Sequence, residues 1–174
     1  MDLEEFINRF IATVEEKDEI KMRQLVLGQR INSQKAMDWL LEQATRSDVQ
    51  GKSKDESKTI LLARLLEGEY RRSFKSNFLQ NKLDAYEGLS DENKKKIVYG
   101  EGLLQEGLKM EQGGAYGEAE SSYKEAVLCF EGIKDNSRMG IAHVYLGDIY
   151  RKIKKYPLAR ESYGKGLTLS LIHI

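Results

Sequence analysis

Proline, cysteine and histidine are scarce in this chain. Its 174 residues include one proline, one cysteine and two histidines. With 32% charged residues and few β-branched runs, the scarcity of proline favours an all-helical protein. A single cysteine cannot form a disulfide within one chain, which fits a reducing compartment, and we expect a cytoplasmic protein.

The chain also lacks an excess of either sign of charge and a long apolar run. The 28 Lys and Arg residues equal the 28 Asp and Glu residues, so the basic surplus that normally accompanies nucleic-acid binding is missing. No apolar stretch approaches the roughly 18 residues that a membrane span needs. The first residues, MDLEEF, are acidic where a secretory signal is basic. We therefore expect neither a nucleic-acid partner nor a membrane association.

Residues for catalysis or metal binding do not form a recognisable set. Cys129 and His143 are separated by a predicted loop and parts of two helices, which supports neither a zinc site nor a Cys-His pair. Gly100 and Gly102, like Gly113 and Gly114, do not follow a strand, as a phosphate-binding loop would require. The sequence predicts no catalytic residue, no metal, no cofactor and no enzyme.

Two stretches forty residues apart share one helical pattern. Residues 113–127 read GGAYGEAESSYKEAV, and residues 153–167 read IKKYPLARESYGKGL. In each, a tyrosine precedes an alanine by three positions, and a second tyrosine follows the alanine by four. An internal period of about 20–50 residues is typical of solenoid arrays, whose units bury apolar faces against their neighbours. The predicted fold class is therefore all-α, with antiparallel helical hairpins stacked as an α-solenoid.

The helix before each stretch extends the pattern to a whole hairpin. In residues 136–168 it reads Leu-Gly-x-x-Tyr from Leu146 and then Ala-x-x-x-Tyr-x-x-Gly from Ala159. This resembles the tetratricopeptide repeat (TPR) family, in a long forty-residue variant. His143 stands where the family usually carries tryptophan, and no proline closes the repeat. The copy at residues 90–135 is looser.

Small and aromatic residues are predicted to hold the hairpins together. Glycine and alanine allow helix axes to approach to about 8–10 Å, and tyrosine rings fill the gap to the next helix while their hydroxyls reach polar groups. The residues predicted to pack the repeats are Gly107, Ala119, Tyr123, Ala126, Leu146, Gly147, Tyr150, Ala159, Tyr163 and Gly166.

The TPR resemblance implies a concave face, lined by the first helix of each hairpin, that binds a protein or peptide partner. On this chain the face would contain Leu104, Leu108, Glu111, Ile141, Val144, Asp148 and Arg151. We expect Leu104, Leu108 and Val144 to form an exposed apolar groove suited to an amphipathic helix or an extended segment of a partner. The groove could equally be covered by the chain's own missing continuation. The basic run from Arg151 to Lys155 either complements the helix dipole or offers a second docking edge.

The first ninety residues are helical in pattern but repeat weakly. We expect Ser33 to cap a helix over residues 34–45, and Asn136 or Ser137 to cap the helix that follows them. Residues 59–89 are read either as a degenerate repeat or as part of an unrelated helical domain. The predicted divisions are a helical segment at 1–47, a polar loop at 48–58, a degenerate repeat at 59–89, repeats at 90–135 and 136–168, and a tail at 169–174.

The tail at residues 169–174 reads LSLIHI and is abruptly apolar. It resembles the translation of a transposon-type sequencing adaptor, in which case the natural protein continues differently; alternatively it is a real hydrophobic helix end. The expected function is a protein-interaction scaffold. The alternative is a set of regulatory repeats in front of a signalling enzyme, such as a CHAT-type protease or a kinase.

Overall fold

The computed structural model describes residues 1–171, without the side chains of residues 53, 170 and 171. Within these residues the chain forms nine helices and no strand, as the scarcity of proline predicts. The helices are α1 (Leu3–Glu15), α2 (Glu19–Gly28), α3 (Arg30–Val49), α4 (Ser53–Phe74), α5 (Phe78–Glu87), α6 (Asp91–Gln112), α7 (Tyr116–Gly132), α8 (Asn136–Lys152) and α9 (Tyr156–Leu171). They divide into an N-terminal unit, residues 1–90, and a C-terminal unit that begins at Asp91.

The N-terminal unit has its own apolar core. The apolar side of α1 faces this core, since Phe6 and Phe10 are buried and stack with ring centroids 6.3 Å apart. Helix α4 packs chiefly against α3 and supplies Leu66 and Tyr70 to the same core. It also buries Glu69, whose carboxylate pairs with Arg23 and Arg72.

The prediction of a polar loop at residues 48–58 is wrong. Helix α3 continues to Val49 and α4 begins at Ser53, so three residues separate them. Gly51 makes the turn with φ at +71°, a left-handed conformation that glycine adopts without steric cost. The charged residues after it lack an apolar period because they lie in the mostly exposed first turns of a long helix.

The expected helix caps are also corrected. Ser33 lies inside α3, and its hydroxyl donates to the carbonyl of Gln29 at 2.9 Å. The cap of α8 is Asp135, whose Oδ1 accepts from the backbone N–H of Arg138 at 3.0 Å. Neither Asn136 nor Ser137 therefore fills this position. An aspartate satisfies a free N–H at a helix start as well as serine or asparagine does.

The C-terminal unit packs its four helices consecutively, α6 on α7, α7 on α8 and α8 on α9. Short turns connect them, and each turn has one residue with left-handed backbone: Gly114 at φ +81°, Lys134 at +57° and Lys154 at +61°. Gly113 and Gly114 form the turn between α6 and α7. Pro157 lies in the first turn of α9, where its missing N–H costs nothing. Helix α9 continues through Leu171; the rest of the predicted tail, residues 172–174, lies outside the described residues.

Candidate functional site

Two tyrosine rings pack onto glycines at equivalent positions of the C-terminal unit. A Cβ built on Gly107 would lie 2.4 Å from Cε1 of Tyr123, and one on Gly147 would lie 2.6 Å from Cδ1 of Tyr163. Only glycine leaves room for these rings. These contacts thus join a glycine on the first helix of each hairpin to a tyrosine on the second.

The other residues predicted to pack the repeats are buried in the same unit. One core cluster contains Ala119, Ala126, Leu146, Tyr150 and Ala159. The same cluster includes Phe130, near the C-terminal end of α7. Gly166 is buried against the start of α8, where its Cβ would meet the carbonyl oxygen of Gly140 at 3.0 Å.

Polar contacts tie three helices together at Glu111. Its carboxylate accepts from the hydroxyl of Tyr123 on α7 at 2.9 Å and pairs with Nζ of Lys152 on α8 at 2.6 Å. Burial, followed by the hydrogen bond to Glu111, raises the pKa of Tyr123 far above its ordinary value. Glu111 therefore has an internal role and is not available to a partner on an open surface.

The prediction of an exposed apolar groove on α6 is wrong. Leu104 is buried, with 9% of its surface exposed, and Leu108 is half-buried against the same core. The physical reason is that Leu104 and Leu108 pack into the core that α6 to α9 share, and α8 is joined to this side of α6 at both ends. Two ion pairs fix the contact: Nε of Arg138 lies 2.8 Å from Oε1 of Glu101 near one end, and Lys152 meets Glu111 at the other.

The corresponding side of α8 is more exposed among the described residues, although a Cβ built on Gly166 of α9 would lie 3.1 Å from Cγ2 of Val144. We call Ile141, Val144, Asp148 and Arg151 the open face of α8, since their spacing of three or four residues places them on one side of the helix. Ile141 is 46% exposed and Val144 is 39% exposed. These four residues lie forty positions after Glu101, Leu104, Leu108 and Glu111.

The polar half of the open face is organised by contacts with α9. Asp148 Oδ1 accepts from the hydroxyl of Tyr163 at 2.7 Å and lies 3.3 Å from Nη2 of Arg151. The side chain of Arg151 remains 60% exposed. Of the predicted basic run, Lys152 is engaged with Glu111, whereas Lys154 and Lys155 are exposed in the turn before α9.

Cys129 and His143 are both partly buried. Burial raises the pKa of the Cys129 thiol and lowers the pKa of the His143 imidazole. Across the part of the chain that the structure describes, no group of three or more His, Cys, Asp or Glu side chains is placed to hold a metal ion. In the same part, the helices are too short or too polar to cross a membrane.

A second contact side of α8 was missed in the sequence. Arg138 and Lys152 pair with Glu101 and Glu111 of α6, the ring of Tyr145 packs on that of Tyr123 of α7, and Ala142 and Ile149 between them are buried. The spacing of these α8 residues by four, three, four and three positions, with a cation at each end, is a signal that could have indicated this side. Comparison of the chain with protein-family models, curated proteins and solved structures finds no match. Its function must therefore be argued from packing and exposure.

Proposed function

We propose that the chain is a protein-interaction module of the cytoplasm. In this proposal, α6 to α9 are two TPR-like hairpins of an α-solenoid, and the open face of α8 binds a segment of a partner protein. The observation that supports it is the contrast between two equivalent sides: Leu104 on α6 is 9% exposed, and Val144 on α8 is 39% exposed.

The chemistry of the open face suits such a segment. Ile141 and Val144 are neighbours on one side of α8, so a partner can cover both with one apolar surface. Burial of apolar surface stabilises a complex by about 25 cal/mol per Å² before the costs of association. Arg151, next to the apolar pair, supplies a charge that can select the partner and fix its register.

A selection experiment tests this function with the full chain. Displayed segments of about twenty residues are panned against the immobilised protein, and the affinity of a selected segment is measured by fluorescence anisotropy. Ile141→Asp should weaken binding at least about tenfold, because a carboxylate is then buried against apolar side chains. The circular dichroism of the variant should remain that of the parent chain.

Leu128→Asp is the matched control, since Leu128 lies on α7, outside the open face, and is 66% exposed. Its binding should stay within about twofold of the parent chain, as expected for a surface substitution away from the contact. If no segment is selected, or if selected segments bind Ile141→Asp unchanged, the proposed function is wrong.

A further inference from the structure

A histidine occupies a core position of the α8–α9 hairpin. His143 lies forty residues after Leu103, and the two hairpins align at this offset, since Gly107 and Gly147 each lie under a tyrosine ring. Leu103 belongs to the core of the unit, with 8% of its surface exposed. The α8–α9 hairpin therefore has a side chain that can take up a proton where the α6–α7 hairpin has a leucine.

One nitrogen of the His143 ring is buried without a partner. Nδ1 has no hydrogen-bond partner among the described residues. A neutral imidazole has a proton on only one nitrogen, whereas the imidazolium has an N–H group at both. Protonation therefore leaves a buried N–H group at Nδ1 without an acceptor, which is unfavourable as long as the helices stay packed.

Charged groups of both neighbouring helices act on the imidazole. Glu131 of α7 and Glu161 of α9 favour the proton, whereas Lys165 of α9 opposes it. The carboxylate of Glu161 also pairs with Nζ of Lys165 at 2.8 Å. Burial outweighs the two carboxylates, so the pKa of His143 lies below its ordinary value. The packed hairpin therefore favours the neutral ring.

Helix α9 is attached to the rest of the unit mainly through α8. Among the described residues it packs chiefly against α8, where the ring of Tyr163 lies on Gly147 and its hydroxyl donates to Oδ1 of Asp148 at 2.7 Å. Helix α8, in contrast, packs on α7 and is also joined to α6 by Arg138 and Lys152. When the α8–α9 hairpin is weakened, α9 is therefore the helix that separates first.

We propose that His143 is an acid-sensitive latch: protonation of its imidazole releases α9 from α8, while α6, α7 and α8 stay packed. The release removes Tyr163 from Gly147 and frees the carboxylate of Asp148, so the surface of α8 that α9 covers becomes accessible. The latch concerns packing within the chain and does not depend on the proposed partner.

Proton linkage limits the size of this response. A group that is protonated only in the open state multiplies the opening equilibrium by one plus the ratio of protonated to neutral form in that state. With an ordinary histidine pKa of about 6.5, this factor is close to one at about pH 7.5 and reaches at most about eleven at about pH 5.5. Because Glu131 and Glu161 stabilise some protonated ring in the closed state as well, we expect an increase of about three- to tenfold.

Hydrogen exchange of the full chain, measured by mass spectrometry in urea below the unfolding transition, separates local opening from global unfolding. An opening that frees α9 alone exposes little surface, so the exchange of α9 should depend on urea less than that of α7 does. After correction for intrinsic exchange rates, this opening of α9 should be about three- to tenfold more frequent at about pH 5.5 than at about pH 7.5.

Three variants test the role of the imidazole. In His143→Leu, which places the residue type of the first hairpin at this position, the opening of α9 should no longer depend on pH. His143→Gln, which is polar but does not titrate, should behave likewise. His173→Gln is the matched control, because it removes the other histidine, which lies outside the described residues. It should retain the response of the parent chain.

Equal urea dependence of exchange in α9 and α7 would overturn the inference, since α9 would then open only with the whole unit. So would an α9 opening that is the same at both pH values, or a response that both His143 variants keep. Loss of the response in His173→Gln would assign it to the other histidine. Binding of displayed segments is measured separately, so this inference and the proposed function can fail independently.

Discussion

Glycine in the C-terminal unit has two different roles that the sequence alone does not separate. Gly107 lies under the ring of Tyr123, whose side chain is fully buried and whose hydroxyl is held by Glu111. Gly102, five residues earlier on the same helix, has no atom within 4 Å of the position that a Cβ would take. The first glycine is required by packing, and the second only lowers the stability of α6.

Alanine substitutions at these two glycines should therefore have opposite effects. Gly107→Ala should lower the free energy of unfolding by about 1–3 kcal/mol, because the buried ring cannot move away without strain. Gly102→Ala should raise it by about 0.5–1 kcal/mol through the higher helix propensity of alanine. Urea unfolding followed by circular dichroism measures both. Equal shifts in the same direction would contradict the ring-on-glycine packing.

His143 should make stability depend on pH. Burial is the main cause that lowers the pKa of its imidazole below 6.5, Lys165 acts in the same direction, and Glu131 and Glu161 oppose them. The unfolded chain then binds the proton more tightly than the folded chain. The contribution to stability is present above about pH 6.5 and is lost as the pH falls through the folded-state pKa.

The expected result is a steeper fall of the unfolding free energy between about pH 7 and pH 5 in the parent chain than in His143→Gln. Urea unfolding at several pH values gives the two curves, and groups that titrate in both proteins cancel in their difference. Parallel curves would show that the imidazole is protonated equally easily in both states.

Helices α6 to α9 could be predicted from the sequence better than α2 to α5, and the reason is physical. The forty-residue repeat places a tyrosine and a small residue at fixed positions, and these residues are buried where the pattern indicates. In residues 48–58, the end of α3 and the start of α4 are rich in charged and polar residues, and no apolar period indicates either helix. Three residues, Gly51 among them, separate the two helices.

The candidate site was predicted only in part, because burial depends on the neighbouring element. Leu104 and Val144 have equivalent positions in the repeat, and both are aliphatic, so the repeat pattern predicts the same environment for both. Their exposure differs because Leu104 belongs to the core cluster of the unit, whereas Val144 is 39% exposed although Gly166 of α9 lies next to it. A pattern along one helix identifies a side that can be buried, and the pairing of helices decides which sides are.

The cap of α8 provides a test at the scale of one element. Asp135 accepts from the backbone N–H of Arg138 and also pairs with its guanidinium, Oδ2 to Nη1, at 2.6 Å. Asp135→Ala should destabilise the C-terminal unit by about 1–2 kcal/mol, the usual effect of losing a cap. Ser137→Ala, at an exposed position of the same first turn, should change stability by less than about 0.5 kcal/mol.

Unfolding in urea, followed by circular dichroism, compares the two variants directly. If Ser137→Ala lowered the free energy of unfolding more than Asp135→Ala does, Ser137 would be the cap, as the sequence pattern predicts. Because Arg138 also meets Glu101 on α6, the arginine can keep one carboxylate partner in Asp135→Ala, so the expected loss is that of the cap.

At the scale of the whole molecule, each unit has a separate apolar core. The core of the N-terminal unit draws its buried residues from positions 6–83, and that of the C-terminal unit from positions 103–159. Chains of about 55–65 residues can already fold alone when their core is adequate. Each unit therefore has both the length and the core for independent folding.

We accordingly expect residues 1–90 and residues 91–174, produced as separate fragments, each to be helical and to unfold cooperatively in urea. Trp39, the single tryptophan of the chain, reports unfolding of the first fragment by fluorescence, and circular dichroism reports both. A shorter fragment that begins at Tyr116 is the control: without α6 it lacks Leu103, Leu104 and Glu111, so Tyr123 loses its hydrogen-bond partner and much of its cover. This control should unfold at lower urea or without cooperativity. If residues 91–174 behave like the control, their core is insufficient alone, and the division at Ser90 describes compactness without independent stability.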